Sequence, residues 1–293
     1  MNRSQEPNVT THTVDAPGAV LTYDVHEPAI PGEHRPLFIF GSPMAASGFP
    51  ELISAFADRI VITYDPRGAE RSELTPDGTV TGELHGEDMH RVVAAVGLGQ
   101  VDAFGSSGGG AFALHWVVKH PDDVQALVSH EPPLSTILED REMTIRVNDD
   151  IVQTYEREGY GPAMAKFIQL VMYAGPLPDD YLDRPAPGPA QFGLPTEDDG
   201  SRDDALLSRN LRIPPFEPDL DALRSSTVRI VPAIGAMGEG TLARRGGEAL
   251  AKELGREPVV FPGDHGGFTK SPMSPDNDPA AFAAKLREVL GQT

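Results

Sequence analysis

Short apolar runs and stretches with helical spacing alternate along most of this chain. Residues 19–26 alternate apolar and polar positions and are expected to open a sheet edge. Residues 36–40, 60–64, 101–104, 124–129, 228–234 and 258–261 are compact runs rich in β-branched or aromatic side chains, the signature of buried strands. Between them lie segments of helical period: 49–56, 81–98, 241–254 and 279–290. In the second of these, Leu84, Met89, Val92, Val93 and Val96 fall on one face, and Gly97 and Gly99 mark its end. Such alternation predicts a mainly parallel sheet covered on both faces by helices.

The rhythm breaks between residues 134 and 225. Residues 137–158 and 163–173 have helical spacing, and a run rich in Pro, Gly and Asp follows from 175 to 204. A long irregular stretch inside a compact domain is usually functional. We therefore expect a helical cap at 134–225, inserted into a core of residues 18–133 and 226–293. Met164, Phe167, Val171 and Met172 of the insert either line a pocket beneath it or, more commonly for such spacing, pack it onto the core. Residues 1–17 are polar and read as a loose tail.

Composition narrows the functional classes. At 293 residues the chain suits one large domain. Its formal charge of −20 repels nucleic acid and anionic membrane surfaces and fits a small uncharged or weakly charged organic substrate. No apolar stretch is long enough to span a bilayer, and no signal core is present near the N-terminus. The absence of cysteine excludes disulfides, thiolate metal sites and a cysteine nucleophile, in keeping with a cytoplasmic location. A homodimer, the commonest assembly, is the expected oligomer.

The richest chemical signal is Gly105-Ser106-Ser107-Gly108-Gly109, a G-x-S-x-G pattern between the 101–104 strand and a helical run containing Ala111, Leu114, Trp116 and Val117. A serine on a sharp strand-to-helix turn projects its hydroxyl above the sheet, and the residues two before and two after it must be very small. Gly105 and Gly109 satisfy this around Ser107. Ser106 has Phe104 two places earlier, so it is expected to touch substrate rather than act as nucleophile. Serine needs a base, and His265 stands just after the last strand in Gly263-Asp264-His265-Gly266. A carboxylate must then orient the imidazole. Glu131, in His130-Glu131-Pro132-Pro133, is preferred because the prolines stiffen the chain behind it; Glu239, after the penultimate strand, is the second choice. Asp264 is adjacent to His265, and adjacent side chains diverge. Oxyanion donors are expected at the Gly108 N–H and, in Phe40-Gly41-Ser42-Pro43-Met44, at the Ser42 N–H, since Pro43 has none. Met44 is the best candidate for contact with substrate.

Together with Asp65-Pro66-Arg67-Gly68 after its strand, these motifs resemble the serine branch of the α/β-hydrolase superfamily over residues 18–133 and 226–293. The resemblance implies an α/β fold: a mainly parallel eight-stranded α/β-hydrolase sheet flanked by helices, with an inserted helical cap, and no cofactor. Three positions depart from that pattern. Phe40 replaces the usual histidine of the oxyanion loop, Glu70 stands where a second glycine is usual, and Gly238 occupies the usual place of the acid. An acid at Glu131 instead resembles lactonases of the zearalenone-hydrolase type, which implies lactone or bulky ester substrates. Ser107 argues against the dehalogenase and epoxide hydrolase branches, which use aspartate. Carbon–carbon hydrolysis, lyase or aminopeptidase chemistry on the same residues, and a hydrolase-like binding protein with little turnover, remain as alternatives. A metal centre is not expected: His85/His90 and His115/His120 are five apart and diverge on a helix, and no H-E-x-x-H occurs. Nor does a P-loop or a G-x-G-x-x-G dinucleotide motif.

Overall fold

The computed structural model describes residues 8–28, 32, 34–271 and 274–291. One nine-stranded sheet forms its centre, in the order β1 (Asn8–Ala16), β2 (Ala19–Glu27), β4 (Val61–Tyr64), β3 (Leu37–Phe40), β6 (Val101–Ser106), β7 (Val124–His130), β8 (Arg229–Gly235) and β9 (Val259–Phe261). The short β5 (Glu73–Leu74) pairs with β2 off this path. β1, β2 and β4 are joined antiparallel, and every later neighbour is parallel.

The period-two pattern of β3 shows how the two faces are built. Phe38 and Phe40 enter one core with Trp116, whereas Leu37 and Ile39 enter the other with Phe104 and Phe282. On the first side pack α2 (Gly82–Val96), α3 (Gly108–Lys119) and α8 (Leu242–Glu253), represented by Met89, Val117 and Leu250. On the second side lie α1 (Pro50–Ala55) and α9 (Pro279–Val289), through Leu52 and Leu286. Thr81 caps α2 through its side chain, and Gly97 ends that helix in the left-handed conformation, as the sequence signals require.

Two expectations are corrected. The sheet has nine strands rather than eight, because residues 8–16 form β1 instead of part of a loose tail. A turn at Pro17-Gly18, with Gly18 at φ +76°, folds β1 back on β2 over nine paired positions. β-Branched Val9, Thr10, Thr11, Thr13 and Val14 suit that role, but residues 8–13 are exposed and only Val14 and Ala16, at the end of the strand, pack against the first core, so too little apolar alternation is present to reveal it. Residues 1–7 of the expected tail lie outside the described residues.

The connection between β7 and β8 holds α4 (Arg141–Glu158), α5 (Tyr160–Met172), the short α6 (Ala205–Ser208) and α7 (Leu220–Ser225). α4 and α5 build a third core with Met143, Val147, Ile151, Tyr155 and Leu170. No helix among the described residues is long and apolar enough to cross a membrane.

Candidate active site

The chain leaves β3 toward β4 and returns past it to β6, so the connections after β3 and β6 run to opposite sides of the sheet. Such a switch point opens a crevice at the carboxyl ends of the strands. The oxyanion-loop candidate follows β3 there, and Ser107 follows β6.

Glycine makes the close approach feasible. A Cβ on Gly105 would sit 2.7 Å from the Phe40 ring and 2.9 Å from Gly110 Cα, and one on Gly109 would sit 2.8 Å from Gly41 Cα. One on Gly108 would lie 2.8 Å from the Ser42 carbonyl oxygen. Ser107 itself has φ 55° and ψ −131°, a strained conformation held by its N–H donating to His130 O at 2.9 Å. Its hydroxyl faces a cavity of about 980 Å³ and has no hydrogen-bond partner among the described residues, His265 included.

His265 lines the same cavity. Its loop is anchored by buried Phe268 and braced by Asp264, which accepts hydrogen bonds from Gly266 N and Asn277 Nδ2, both at 2.8 Å. Asp264 is thereby committed to the loop. Nδ1 of His265 lies 2.8 Å from Glu131 Oε2, while Glu131 Oε1 accepts the Gly235 N–H at 2.9 Å. Glu131 is 1% exposed and also adopts a left-handed backbone, at φ 45°. Gly246 of α8 lets that helix press against the Pro132 carbonyl behind it; a Cβ there would lie 2.1 Å away. Burial alone would raise the Glu131 carboxyl, but the His265 hydrogen bond, the His130 and His265 rings and the Gly235 N–H together hold it below the usual glutamate range. With Nδ1–H donating to Glu131, Nε2 keeps the lone pair that a base needs. Glu239, the second candidate acid, is exposed and lies outside the cavity lining.

Ser42 and Gly108 both line the cavity, and no backbone acceptor among the described residues takes the N–H of either. Phe40, in the place of the usual loop histidine, is fully buried against Trp116 with ring centroids 6.1 Å apart. Loop support therefore comes from packing, and from Ser42 Oγ, which donates to Asn210 Oδ1 at 3.0 Å. Met44 lines the cavity as expected. Ser106 does not: it is 1% exposed, its buried hydroxyl has no partner among the described residues, and it is absent from the lining. Strand alternation carries its side chain away from the face on which Ser107 emerges, so its expected contact with substrate is corrected.

The β7–β8 connection supplies much of the remaining wall, including Phe167, Leu170, Val171, Met172 and Ile213, while Met164 packs within the third core instead. Phe216, which sequence spacing did not single out, also lines the cavity and meets Phe112 edge-on at 5.8 Å. Away from this cavity, the packing of α2 on α3 brings together histidines that the intrahelical spacing kept apart. His90 and His120 stack at 3.7 Å, and with Asp123 they place potential ligand atoms within 4.8 Å of one another. His90 Nδ1 is already bonded to Asp123 at 2.7 Å and His120 Nε2 to Glu87 at 3.1 Å. None of these residues lines the cavity.

A switch-point crevice, a glycine-hemmed serine turn and a histidine–carboxylate pair above a mostly parallel sheet define an α/β hydrolase. Residues 37–185 match the family model described as the alpha/beta hydrolase fold, and the chain belongs to that family. It is 28% identical over 269 residues to the uncharacterized hydrolase YraK of Bacillus subtilis, covering 89% of this chain and 91% of that one. Among solved structures, it is similar to a thermophilic esterase from Thermogutta terrifontis, with TM-score 0.67, 19% identity and coverage of 97% of this chain and 98% of that one. It is likewise similar to the enol-lactonase from Burkholderia xenovorans LB400, with TM-score 0.66, 17% identity and coverage of 96% and 100%. At such identities these two likenesses speak for the fold.

Proposed function

We propose that this hydrolase cleaves a carboxylic ester or lactone through an acyl-enzyme on Ser107, with His265 as base, Glu131 as the orienting acid, and the Ser42 and Gly108 N–H groups as the oxyanion hole. The observation that carries the reading is the 2.8 Å contact from the buried Glu131 to His265 Nδ1, in a cavity shared with the strained Ser107.

In this reading Ser107 Oγ attacks the carbonyl carbon while His265 Nε2 takes its proton. Negative charge on the former carbonyl oxygen meets the two N–H donors, and the α3 N-terminus adds its positive dipole end. The imidazolium, stabilised by Glu131, then protonates the departing alkoxide. Water enters, gives its proton to His265 and attacks the acyl carbon, which releases the acid and restores Ser107. A lactone gives one ring-opened hydroxy acid by the same steps.

The β7–β8 connection acts as the cap in this account. Its apolar side chains, with Met44 and Phe112, favour a bulky organic substrate, and the enzyme carries out the reaction without a cofactor. A kinetic screen of aryl esters, alkyl esters and lactones tests the reading. Turnover of at least one ester or lactone by the native protein, reduced by at least about 10³-fold in Ser107→Ala, is expected. Turnover that survives in Ser107→Ala, or activity confined to peptides or diketones, would overturn it.

A further inference from the structure

Among the described residues, the backbone has positive φ at thirteen glycines and at three other residues: Glu70, Ser107 and Glu131. All three line the one cavity. A side chain in this region crowds its own backbone, so such residues persist only where surrounding contacts over-determine them, and they gather at functional sites. Ser107 and Glu131 already have roles in the proposed chemistry. Glu70, at φ 41°, has none.

The structure around Glu70 is tied on both sides. Asp65 accepts the Ala46 N–H through Oδ1 and the Arg71 N–H through Oδ2, both at 3.1 Å. Arg71 also grips Asp65 and Asp24, with contacts of 2.6 and 2.8 Å. Ser72 Oγ donates to Asp65 O at 2.6 Å and accepts the Thr22 N–H at 2.9 Å. This frame holds Glu70 against the oxyanion side of the cavity, where Ser47 Oγ donates to its Oε1 at 2.6 Å.

Charge gives the carboxylate a use. No lysine or arginine occurs among the described residues that line the cavity. Its other acids are engaged: Glu131 with His265 and Gly235, Asp204 with the N–H groups of Leu206 and Leu207, and Asp264 with its own loop. Glu70 is exposed and has no ion-pair partner among the described residues, and its Oε2 is free. The rest of the lining is largely apolar and includes Phe112, Phe167 and Phe216, whose rings also attract cations.

We propose that Glu70 is a specificity-determining residue that receives a positively charged ammonium group of the substrate. The inference rests on the cavity being the substrate site proposed above and refines the expectation of an uncharged or weakly charged substrate.

Two pairs of carbon and nitrogen isosteres test it. In the first, butyrylcholine is compared with 3,3-dimethylbutyl butyrate, which puts the charge on the alcohol side. In the second, ethyl 4-(trimethylammonio)butanoate is compared with ethyl 5,5-dimethylhexanoate, which puts it on the acyl side. In at least one pair the cationic ester is expected to have the higher kcat/KM, by about fivefold at low salt, as suits one solvent-exposed charge pair. The preference should shrink in 0.5 M salt on the order expected from screening, fall to about one in Glu70→Gln, and return in part in Glu70→Asp. Calorimetric binding of the same esters to Ser107→Ala, in the presence and absence of Glu70→Gln, reads the preference without turnover. Equal binding and equal kcat/KM within both pairs, or a preference that survives Glu70→Gln, would overturn the proposal. Ester binding that follows Glu70 with no hydrolysis by the native protein would instead count against the serine hydrolase reading and leave the role of Glu70 standing.

Discussion

Replacing Glu131 with glutamine tests how the imidazole is set. The change keeps the shape and removes the charge. Glu131 has two fixed neighbours: Oε1 accepts the Gly235 N–H at 2.9 Å and Oε2 lies 2.8 Å from His265 Nδ1. The Gly235 N–H belongs to a strand and can only donate, so the glutamine must turn its carbonyl oxygen toward it. The amide NH₂ then faces His265 Nδ1, which must become the acceptor. That tautomer places the ring proton on Nε2, where a lone pair is needed to take the Ser107 proton. A comparable tautomer error in a serine protease costs about 10⁴ in kcat, or roughly 5.5 kcal/mol of barrier, and we expect a loss of this order. Because donors and acceptors still match at both contacts, the melting temperature should move little. The assay is kcat and KM for a chromogenic ester, with calorimetry alongside and Glu239→Gln as the comparison. A loss below tenfold in Glu131→Gln, or a larger loss in Glu239→Gln, would refute the reasoning.

Gly105→Ala drives a methyl to 2.7 Å from the Phe40 ring; a destabilisation of about 1–3 kcal/mol is expected in urea unfolding, and an unchanged midpoint would contradict it. Gly109→Ala meets Gly41 backbone at 2.8 Å, so it should separate the oxyanion loop from the serine turn and lower kcat more than it raises KM. Burial holds His130 at about 4 and His85 at about 3, so the unfolded chain binds more protons as pH falls below about 6.5. Stability should therefore drop by roughly 5 kcal/mol between pH 6.5 and 4.5, and His130→Phe should remove about half of that slope; a flat profile would refute it. The depressed Glu131 carboxyl adds stability that is present above its unfolded pKa and lost on further acidification through its lower folded value. Asp88→Asn leaves buried Arg67 without the carboxylate it grips at 2.6 and 2.7 Å, which should cost about 3–5 kcal/mol in the same unfolding assay.

What could be read from the sequence was whatever is local. The serine turn is specified by glycines two places on either side of Ser107, and the clashes a Cβ would meet at those positions show why. β3 announces itself because both faces are buried, which forces a continuous apolar run, and β6 is legible from Val101, Ala103 and Phe104 although Asp102, paired with buried Arg59, interrupts them. β1 is different: it is exposed over residues 8–13 and touches the core only through Val14 and Ala16, so its pairing is read from the Pro17-Gly18 turn, not from hydrophobicity. The rival acids Glu131 and Glu239 could not be separated by spacing alone, because what distinguishes them is burial and the Gly235 N–H, both products of the assembled sheet. Ser106 went astray for a related reason: one residue of strand alternation decides which face a side chain takes. The His90–His120 contact joins two helices, beyond the reach of any intrahelical rule. Glu70 was visible as a departure from the usual glycine, but its strain and its place at the cavity needed the fold.

The proposed chemistry depends on a single activated hydroxyl. Treatment with a fluorophosphonate, followed by peptide mass spectrometry, measures it directly. We expect one adduct per chain, located on Ser107, with labelling slowed in His265→Ala and abolished in Ser107→Ala. An adduct on another residue, or an unlabelled protein that still hydrolyses ester at its full rate, would contradict the account.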